Sequence, residues 1–165
     1  MLIILSGLPG TGKTTLAREL ARRTGAVHIR IDTIEQAIRD AGSLEGPMND
    51  AGYRVGYAVA EDNLRLGRTV IGDSVNPWRL TREAWHGAAR RAGKPFVDVE
   101  CACSDQTEHR RRVETRPADI AGFKLPTWEE VITRDYHPWD SDHIVIDTAV
   151  ESISAAVDRI ARALA

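Results

Sequence analysis

Gly7-Leu8-Pro9-Gly10-Thr11-Gly12-Lys13-Thr14 matches the pattern G-x-x-x-x-G-K-[ST] at every fixed position. In this pattern, backbone N–H groups of a glycine-rich turn close around phosphate oxygens, because no Cβ atoms intrude. The lysine places its charge on the β- and γ-phosphates, and the hydroxyl of the last residue binds Mg²⁺. The residues predicted to bind nucleotide phosphates are Gly7, Gly10, Thr11, Gly12, Lys13, Thr14 and Thr15.

The residues on either side of this stretch have the pattern that such a loop requires. Leu2-Ile3-Ile4-Leu5 is a short apolar run of the kind found in buried parallel strands. Residues 14–23 place Leu16 and Leu20 on one face of a helix, and Thr24-Gly25 indicates where it ends. In the order strand, loop, helix, the positive N-terminal end of the helix faces the bound phosphate.

Apolar runs of the β type alternate with helical stretches along all 165 residues. The predicted strands after the first are 27–31, 69–72, 95–101 and 143–146, and the predicted helices after the first are 33–40, 50–66, 81–92, 105–115, 127–135 and 150–164. This alternation predicts an α/β domain of three layers with a five-stranded parallel sheet. In the helix over 50–66, we expect Val55, Val59 and Leu66 to face the core.

Composition and charge narrow the function classes. With 42% apolar and 28% charged residues the chain is typical of a globular protein, and its net charge of −2 argues against a nucleic-acid or membrane coat. Two cysteines are too few for a disulfide framework, and no apolar run approaches the ~20 residues of a membrane span. The short segment before the loop leaves no room for a secretory signal, so we expect a cytoplasmic protein. We expect it to be a monomer or a homodimer.

Acidic side chains, Asp32, Asp73 and Asp147, follow three of the predicted strands, at the sheet edge that carries the phosphate loop. Asp73, after the third strand, is expected to bind Mg²⁺ or its waters, with Gly72 letting the backbone pass close to the loop. Asp32, after the second strand, is expected to accept the proton of an incoming hydroxyl as a general base. The structural alternatives are an N-cap of the 33–40 helix for Asp32 and a turn-fixing carboxylate for Asp73.

The loop together with Ile31-Asp32 and Asp73 resembles the small P-loop kinases, which include chloramphenicol phosphotransferase, polynucleotide kinase, gluconate kinase and the zeta toxins. Such chains are often labelled AAA-family ATPases. The resemblance implies a nucleoside-kinase-like P-loop fold over a single domain, 1–165, with ATP and Mg²⁺ as cofactors. It also implies that Asp32 corresponds to the hydroxyl-activating acid of that family.

The same family has an R-x-x-x-R pair that enters a mobile lid, and Arg112 and Arg116 match this spacing. The match implies a short lid over approximately 112–126 and a catalytic role for both arginines, which would neutralise the transferring phosphoryl group. Arg116 is nearest the lid and is the preferred candidate. Two alternatives stay open: Arg110 and Arg111 point inward instead, or the run is a solvated face on which Glu108 pairs with Arg112.

The acceptor and the adenine base are also placed by this resemblance. The acceptor site is expected between the second and third strands, with Tyr53 as one wall, and Asn76 and Arg79 are expected to face the same cavity. Core packing is the alternative for Tyr53, and a surface charge is the alternative for Arg79. The base is expected beside the end of the fifth strand, where Thr148 contacts its edge.

We therefore predict an enzyme that moves the γ-phosphoryl group of ATP to a hydroxyl of a small molecule. One alternative is a polynucleotide 5′-hydroxyl kinase that uses the basic and aromatic residues of 78–94, although the net charge disfavours nucleic acid. A nucleotide-binding switch or NTPase with little transfer activity is another, and a toxin that phosphorylates a nucleotide sugar is a third. The sequence names neither the acceptor nor the choice between ATP and GTP.

Overall fold

The computed structural model describes residues 1–42 and 46–163. The strands are β1 (Leu2–Ser6), β2 (Val27–Arg30), β3 (Val70–Asp73), β4 (Phe96–Ala102) and β5 (Ile144–Asp147). The helices are α1 (Lys13–Thr24), α2 (Ile31–Asp40), α3 (Ala51–Arg65), α4 (Arg79–Arg91), α5 (Gln106–Thr115), α6 (Trp128–Ile132) and α7 (Ile153–Ala163). The predicted end of the last helix, at residue 164, lies outside the described residues.

The five strands form one sheet in the order β2-β3-β1-β4-β5, and every neighbouring pair is parallel. β1 lies in the centre, where Leu2 is in register with Val70 on one side and Phe96 on the other. All five residues of β1 are buried, which explains why this strand is a continuous apolar run. The predicted five-stranded parallel sheet is therefore confirmed.

Helices cover both faces of the sheet and give the three predicted layers. α1 and α7 pack on one face, where Leu16, Leu20 and Ile160 join Ile3 and Leu5 in a buried cluster. The opposite face is covered by residues of α2, α3 and α4; the buried cluster there contains Leu2, Ile4, Ile29, Ile31, Leu64 and Trp85. In the part of the chain that the structure describes, no helix is long and apolar enough to cross a membrane.

The buried face of α3 differs from the predicted one. Val55, Val59 and Leu66 are 43%, 42% and 78% exposed, whereas the buried positions are Gly52, Gly56, Ala60 and Leu64. A Cβ atom on Gly56 would lie 2.4 Å from Cδ1 of Ile31, so the small residues allow α3 to approach α2 closely. The prediction was wrong because close contact between helices selected small side chains rather than large apolar ones.

Gly72 also has a different role from the predicted one. Its missing side chain makes room for Trp85, because a Cβ atom at Gly72 would lie 3.0 Å from the indole ring. Trp85 is fully buried, and its Nε1 donates a hydrogen bond to Oδ1 of Asn76 at 3.0 Å. Gly72 therefore accommodates the core on the α4 side rather than the phosphate loop.

The range predicted as a lid, approximately 112–126, includes the end of α5, which continues to Thr115, and most of the irregular segment 116–127 before α6. Asp119 in this segment accepts hydrogen bonds from Arg18 of α1 at 2.6 Å and from Arg30 of β2 at 2.8 and 3.1 Å. These three side chains are called the clasp below. The two arginines hold the pKa of Asp119 down at about 2, so the clasp is charged at neutral pH.

Replacing Asp119 by asparagine keeps the side-chain shape and removes the charge that both arginines share. We expect faster amide hydrogen exchange and faster proteolysis in residues 118–125, with a fall in melting temperature of at most about 4 °C, because exposed ion pairs contribute little to stability. Asp158→Asn is the matched control, since it breaks a surface ion pair with Arg23. Unchanged exchange in 118–125 would contradict the proposed restraint on this segment.

Candidate active site

The phosphate loop connects β1 to α1 through glycines with left-handed backbone geometry, at φ +132° for Gly7, +86° for Gly10 and +93° for Gly12. At Gly7 a Cβ atom would lie 2.2 Å from the carbonyl oxygen of Cys101, so only glycine fits there. Gly12 is the N-cap of α1. The N–H groups of the first turn of α1, which have no partner within a helix, therefore adjoin the loop and suit an anion.

Two side chains of the loop bond to one of its own carbonyl groups. The carbonyl oxygen of Leu8 accepts hydrogen bonds from Thr11 Oγ1 and from Lys13 Nζ, both at 2.9 Å. Lys13 is only 8% exposed, and this burial lowers the pKa of its ammonium group, while the charge of Asp73 opposes the shift. The Thr11 side chain therefore fixes the conformation of the loop, and the nearly buried ammonium group of Lys13 lies against the loop backbone.

Helix α5 supports the loop from outside. Nε2 of His109 donates a hydrogen bond to the carbonyl oxygen of Pro9 at 2.8 Å, and Val113 abuts Gly10, where a Cβ atom would lie 2.5 Å from its methyl group. The sequence pattern of this region indicates a run of charges and neither of these contacts. The helical spacing of His109, Val113 and Arg116 was the signal that could have revealed a loop-facing side of α5.

Thr14 and Asp73 lie together, as expected for a shared Mg²⁺ site. The Asp73 carboxylate is buried and accepts hydrogen bonds from the Thr14 hydroxyl and from Nε2 of His28, the latter at 3.1 Å. Burial raises the pKa of Asp73, but the His28 hydrogen bond and the charge of Lys13 outweigh it and hold the pKa below its ordinary value. Hydroxyl and carboxylate oxygens are the ligands that Mg²⁺ prefers, so these residues fit a nucleotide-borne ion.

Asp32 lies in the first turn of α2, because β2 ends at Arg30 and the helix begins at Ile31. The N-cap position belongs to Arg30, so the alternative of Asp32 as N-cap is wrong. Burial raises the pKa of Asp32 above its ordinary value, while the nearby charges of Arg30 and Lys13 oppose this; the nearest guanidinium nitrogen of Arg30 is 3.6 Å away. The Asp32 carboxylate is therefore more basic than an ordinary aspartate.

Two cavities meet at Lys13 and Arg116. The smaller, of about 390 Å³, lies between the phosphate loop and α5, and its lining includes Gly10, Gly12, Thr14, Thr15 and Arg112. The larger, of about 800 Å³, contains Asp32 and Asp73. Lys13 and Arg116 line both. A phosphoryl group at this junction would lie beside Lys13 and Arg116, in the cavity that Asp32 also lines.

The structure separates the two arginines of the predicted pair. Arg116 faces the junction, and among the described residues its buried Nε atom has no hydrogen-bond partner. The guanidinium of Arg112 is held instead by Glu108 at 2.8 Å and by Oγ1 of Thr148 at 2.8 Å. Arg112 therefore lines the smaller cavity as part of a fixed network. The exposed Arg110 and Arg111 form ion pairs with Glu114 and Glu108.

Thr148 directly follows β5 and bonds to the phosphate loop. Its Oγ1 lies 2.8 Å from the carbonyl oxygen of Thr11 and 3.1 Å from that of Ala102, and it also accepts the hydrogen bond from Arg112. This side chain therefore connects the end of β5 to the phosphate loop. Its hydroxyl hydrogen-bonds within the protein, and the expected contact with the edge of the adenine base stays a prediction.

The three residues predicted to face the acceptor line neither cavity. Tyr53 packs in the core beside Tyr57. Asn76 is completely buried, and its Nδ2 donates to the Leu5 carbonyl and the Ser6 hydroxyl. Arg79 is exposed and pairs with Asp140 at 3.2 Å. The expected acceptor roles of Tyr53, Asn76 and Arg79 are therefore corrected: two are structural, and one is a surface charge.

One face of α2 lines the larger cavity in their place. The residues on this face are Asp32, Glu35, Gln36 and Arg39, and Arg116 and the segment 122–126 lie on the same cavity with Glu130, Thr133 and Arg134. The spacing from Asp32 by three, four and seven positions is that of one helical face. This spacing was the available signal in the sequence, whereas nothing local indicated the residues beyond the lid.

Comparison with known proteins gives a family. Residues 2–130 match the family model described as an AAA domain. An uncharacterized protein of Mycobacterium tuberculosis (strain ATCC 25618 / H37Rv) is 38% identical over 76 residues, which cover 43% of this chain and 15% of that protein. This chain thus corresponds to only a small part of that relative.

Two kinases are similar over nearly the whole chain. The protein named probable adenylyl-sulfate kinase of Aeropyrum pernix is 25% identical over 158 residues, 93% of this chain and 86% of that protein. The structure of the Mycobacterium tuberculosis APS kinase CysC in complex with AMPPNP and APS superposes with a TM-score of 0.76 and 20% identity, covering 99% of this chain and 96% of that one. At this identity the likeness shows the fold alone. With the family model matched over most of its length, the chain belongs to the AAA domain family and has the fold of the small P-loop kinases.

Proposed function

We propose that this protein transfers the γ-phosphoryl group of ATP to a hydroxyl group of a small molecule. The observation that carries the proposal is the junction of the two cavities, where Lys13 and Arg116 are shared and the Asp32 carboxylate lines the larger cavity. A plain NTPase has no need for a second, larger cavity lined by a carboxylate near the phosphate site. The membership of the chain in a family with kinase relatives supports the same reaction.

Each residue at the junction has a distinct part in the proposed transfer. The loop amides and Lys13 bind the phosphates, with Thr14 and Asp73 as the residues that would hold Mg²⁺. A bound Mg²⁺ would supply positive charge against the β- and γ-phosphate oxygens. Asp32 accepts the proton of the acceptor hydroxyl, and its raised pKa improves it as a base. Arg116 neutralises the charge of the phosphoryl group in the transition state of the transfer.

The proposed step is a direct displacement. The acceptor oxygen forms a bond to the γ-phosphorus while the bond from that phosphorus to the bridging oxygen of ADP breaks, and the hydroxyl proton moves to Asp32. Water at ~55 M would compete with the acceptor, so the cavity must be closed during transfer. Residues 122–126 line the larger cavity as part of the segment that the clasp holds down.

The alternative of a polynucleotide kinase loses its main support. Trp85 is buried in the core, and Arg82 is buried with its guanidinium donating to backbone carbonyls that include His137 and Asn76. Arg90 and Arg91 form ion pairs with Glu83 and Glu61. The residues of 78–94 thus offer neither cavity a stacking platform, which favours a small acceptor over a strand of nucleic acid.

Replacing Asp32 by asparagine separates a kinase from a nucleotide switch. We expect nearly unchanged ATP affinity and a fall in phosphoryl transfer of about 10²- to 10⁴-fold, because the base is lost while the side-chain shape remains. Lys13→Ala is the comparison, in which ATP turnover itself should disappear. The readouts are nucleotide binding by calorimetry and a mass gain of one phosphate on hydroxyl compounds. An Asp32→Asn variant with full transfer, or with equal loss of nucleotide binding, would contradict the proposed base.

Replacing Arg116 by glutamine tests which arginine serves the transferred group. We expect kcat to fall by at least about tenfold with a smaller change in the KM for ATP, because the charge acts mainly on the transition state. Arg110→Gln removes an exposed arginine of the adjoining helix α5 and should leave kcat unchanged. Equal losses in the two variants would mean that the positive charge of this region as a whole, and not the position of Arg116, is responsible.

The pH dependence of phosphoryl transfer identifies the group that acts as the general base. Since Asp32 must be ionised and its pKa is raised, kcat/KM should fall on the acid side at a pH above the ordinary aspartate value of about 3.9. The positive charge of Arg30 lowers that pKa, so Arg30→Gln should move the acid limb to higher pH. Arg18→Gln weakens the same clasp without removing that charge and should leave the limb in place. A limb that stays fixed in Arg30→Gln would exclude Asp32 as the titrating group.

A further inference from the structure

The larger cavity has a reaction end and a far end, separated along helix α2. Asp32 in the first turn and Arg39 in the last turn both line it, and seven residues of helix span about 10 Å. The reaction end contains Lys13, Arg116 and Asp32. An acceptor that fills the cavity therefore presents a hydroxyl at one end and a different part of its structure to the other.

Apart from the reaction end, the lining of the larger cavity carries more positive than negative charge. Its cations are Arg39, Lys124 and Arg134, and its acids are Glu35 and Glu130. Both acids are already engaged, because Glu35 pairs with Arg39 at 3.4 Å and Glu130 accepts the backbone N–H of Thr127 at 2.8 Å. Within residues 1–42 and 46–163, Lys124 and Arg134 have no carboxylate within ion-pair distance. Both cations therefore line this cavity without a direct ion pair, and the charge of nearby Glu130, whose pKa they help to lower, offsets part of theirs.

We propose that the acceptor carries an anionic group, a phosphate, sulfate or carboxylate, which Lys124 and Arg134 bind in the larger cavity. This inference rests on the proposed phosphoryl transfer and adds the class of substrate to it. Arginine and lysine are the side chains that bind such groups through charge-assisted hydrogen bonds. A concave, partly enclosed wall strengthens their attraction for an anion relative to an open surface.

The location of the two cations adds a structural consequence. Lys124 belongs to the segment 116–127, whereas Arg134 follows α6. An anion bound by both would connect this segment to the residues beyond α6. Binding of the correct acceptor would then hold the segment over the cavity, as the clasp does at Arg30.

Calorimetry on the full chain loaded with Mg·ADP tests the binding directly. The probes are matched sets that share hydroxyl groups and differ in charge: glucose, gluconate and glucose 6-phosphate, and adenosine, AMP and adenosine 5′-phosphosulfate. We expect an anionic member to bind more tightly than the neutral one. In Lys124→Gln/Arg134→Gln its Kd should rise about tenfold or more, the loss expected when charged hydrogen-bond donors are removed.

Arg68→Gln is the matched control, because Arg68 is an exposed cation outside both cavities, and this variant should bind like the wild type. Equal binding of neutral and anionic members overturns the inference. It is also overturned by an anionic preference that survives the double substitution, or by the failure of every anionic probe to bind. Comparison of the anionic compounds within each set identifies whether a carboxylate, a phosphate or a phosphosulfate is preferred.

Turnover of the same probes with ATP decides the proposed function separately. Phosphorylation of a neutral compound as efficiently as its anionic partner leaves the kinase intact and removes the anionic acceptor. Anionic probes that bind through Lys124 and Arg134 but gain no phosphate, with ATP turnover unaffected by Asp32→Asn, remove the kinase and keep the anion site. The two proposals therefore fail in different ways.

Discussion

The close approach of Gly7 to the carbonyl oxygen of Cys101 is the constraint on which the site depends. The separation leaves no space for a Cβ atom, so the chain leaving β1 turns tightly against β4. This turn begins the loop that ends at Gly12, the N-cap of α1. Lys13 and Thr14, as the first two residues of α1, are thereby fixed beside the end of β3, where Asp73 is located. A side chain at residue 7 would displace all three functional groups together.

Much of the fold was predictable from sequence because its determinants are local. Leu2-Ile3-Ile4-Leu5 indicated a strand buried on both faces, and the loop pattern required a helix after it. The buried face of α3 was not predictable in the same way. Periodicity favours large apolar residues, whereas Gly52 and Gly56 are buried because α2 approaches α3 closely. That requirement comes from a neighbouring element and leaves no signal in the pattern of α3 itself.

The residues of the candidate site also differ in whether local sequence signals or tertiary packing determine their positions. Lys13, Thr14, Asp32 and Asp73 lie near one another, as predicted, because each is at or shortly after the carboxyl end of a strand in one parallel sheet. Asn76 was misplaced because the chain after β3 turns inward, with a φ of +48°, and buries the amide among backbone groups of β1. Residues such as Arg134 approach the cavity from an irregular connection. Their position depends on tertiary packing that spacing along the chain does not encode.

Arg30 has a single guanidinium group and two carboxylates within its reach. It donates two hydrogen bonds to Asp119, and Asp32 lies 3.6 Å away. Movement of Asp119 away from the body would leave Arg30 free to pair more closely with Asp32 and to make that carboxylate less basic. Proton acceptance and closure are then thermodynamically linked through one side chain. This coupling would keep Asp32 a weak base whenever bulk water has access to the nucleotide. It would therefore limit hydrolysis of ATP without transfer to an acceptor.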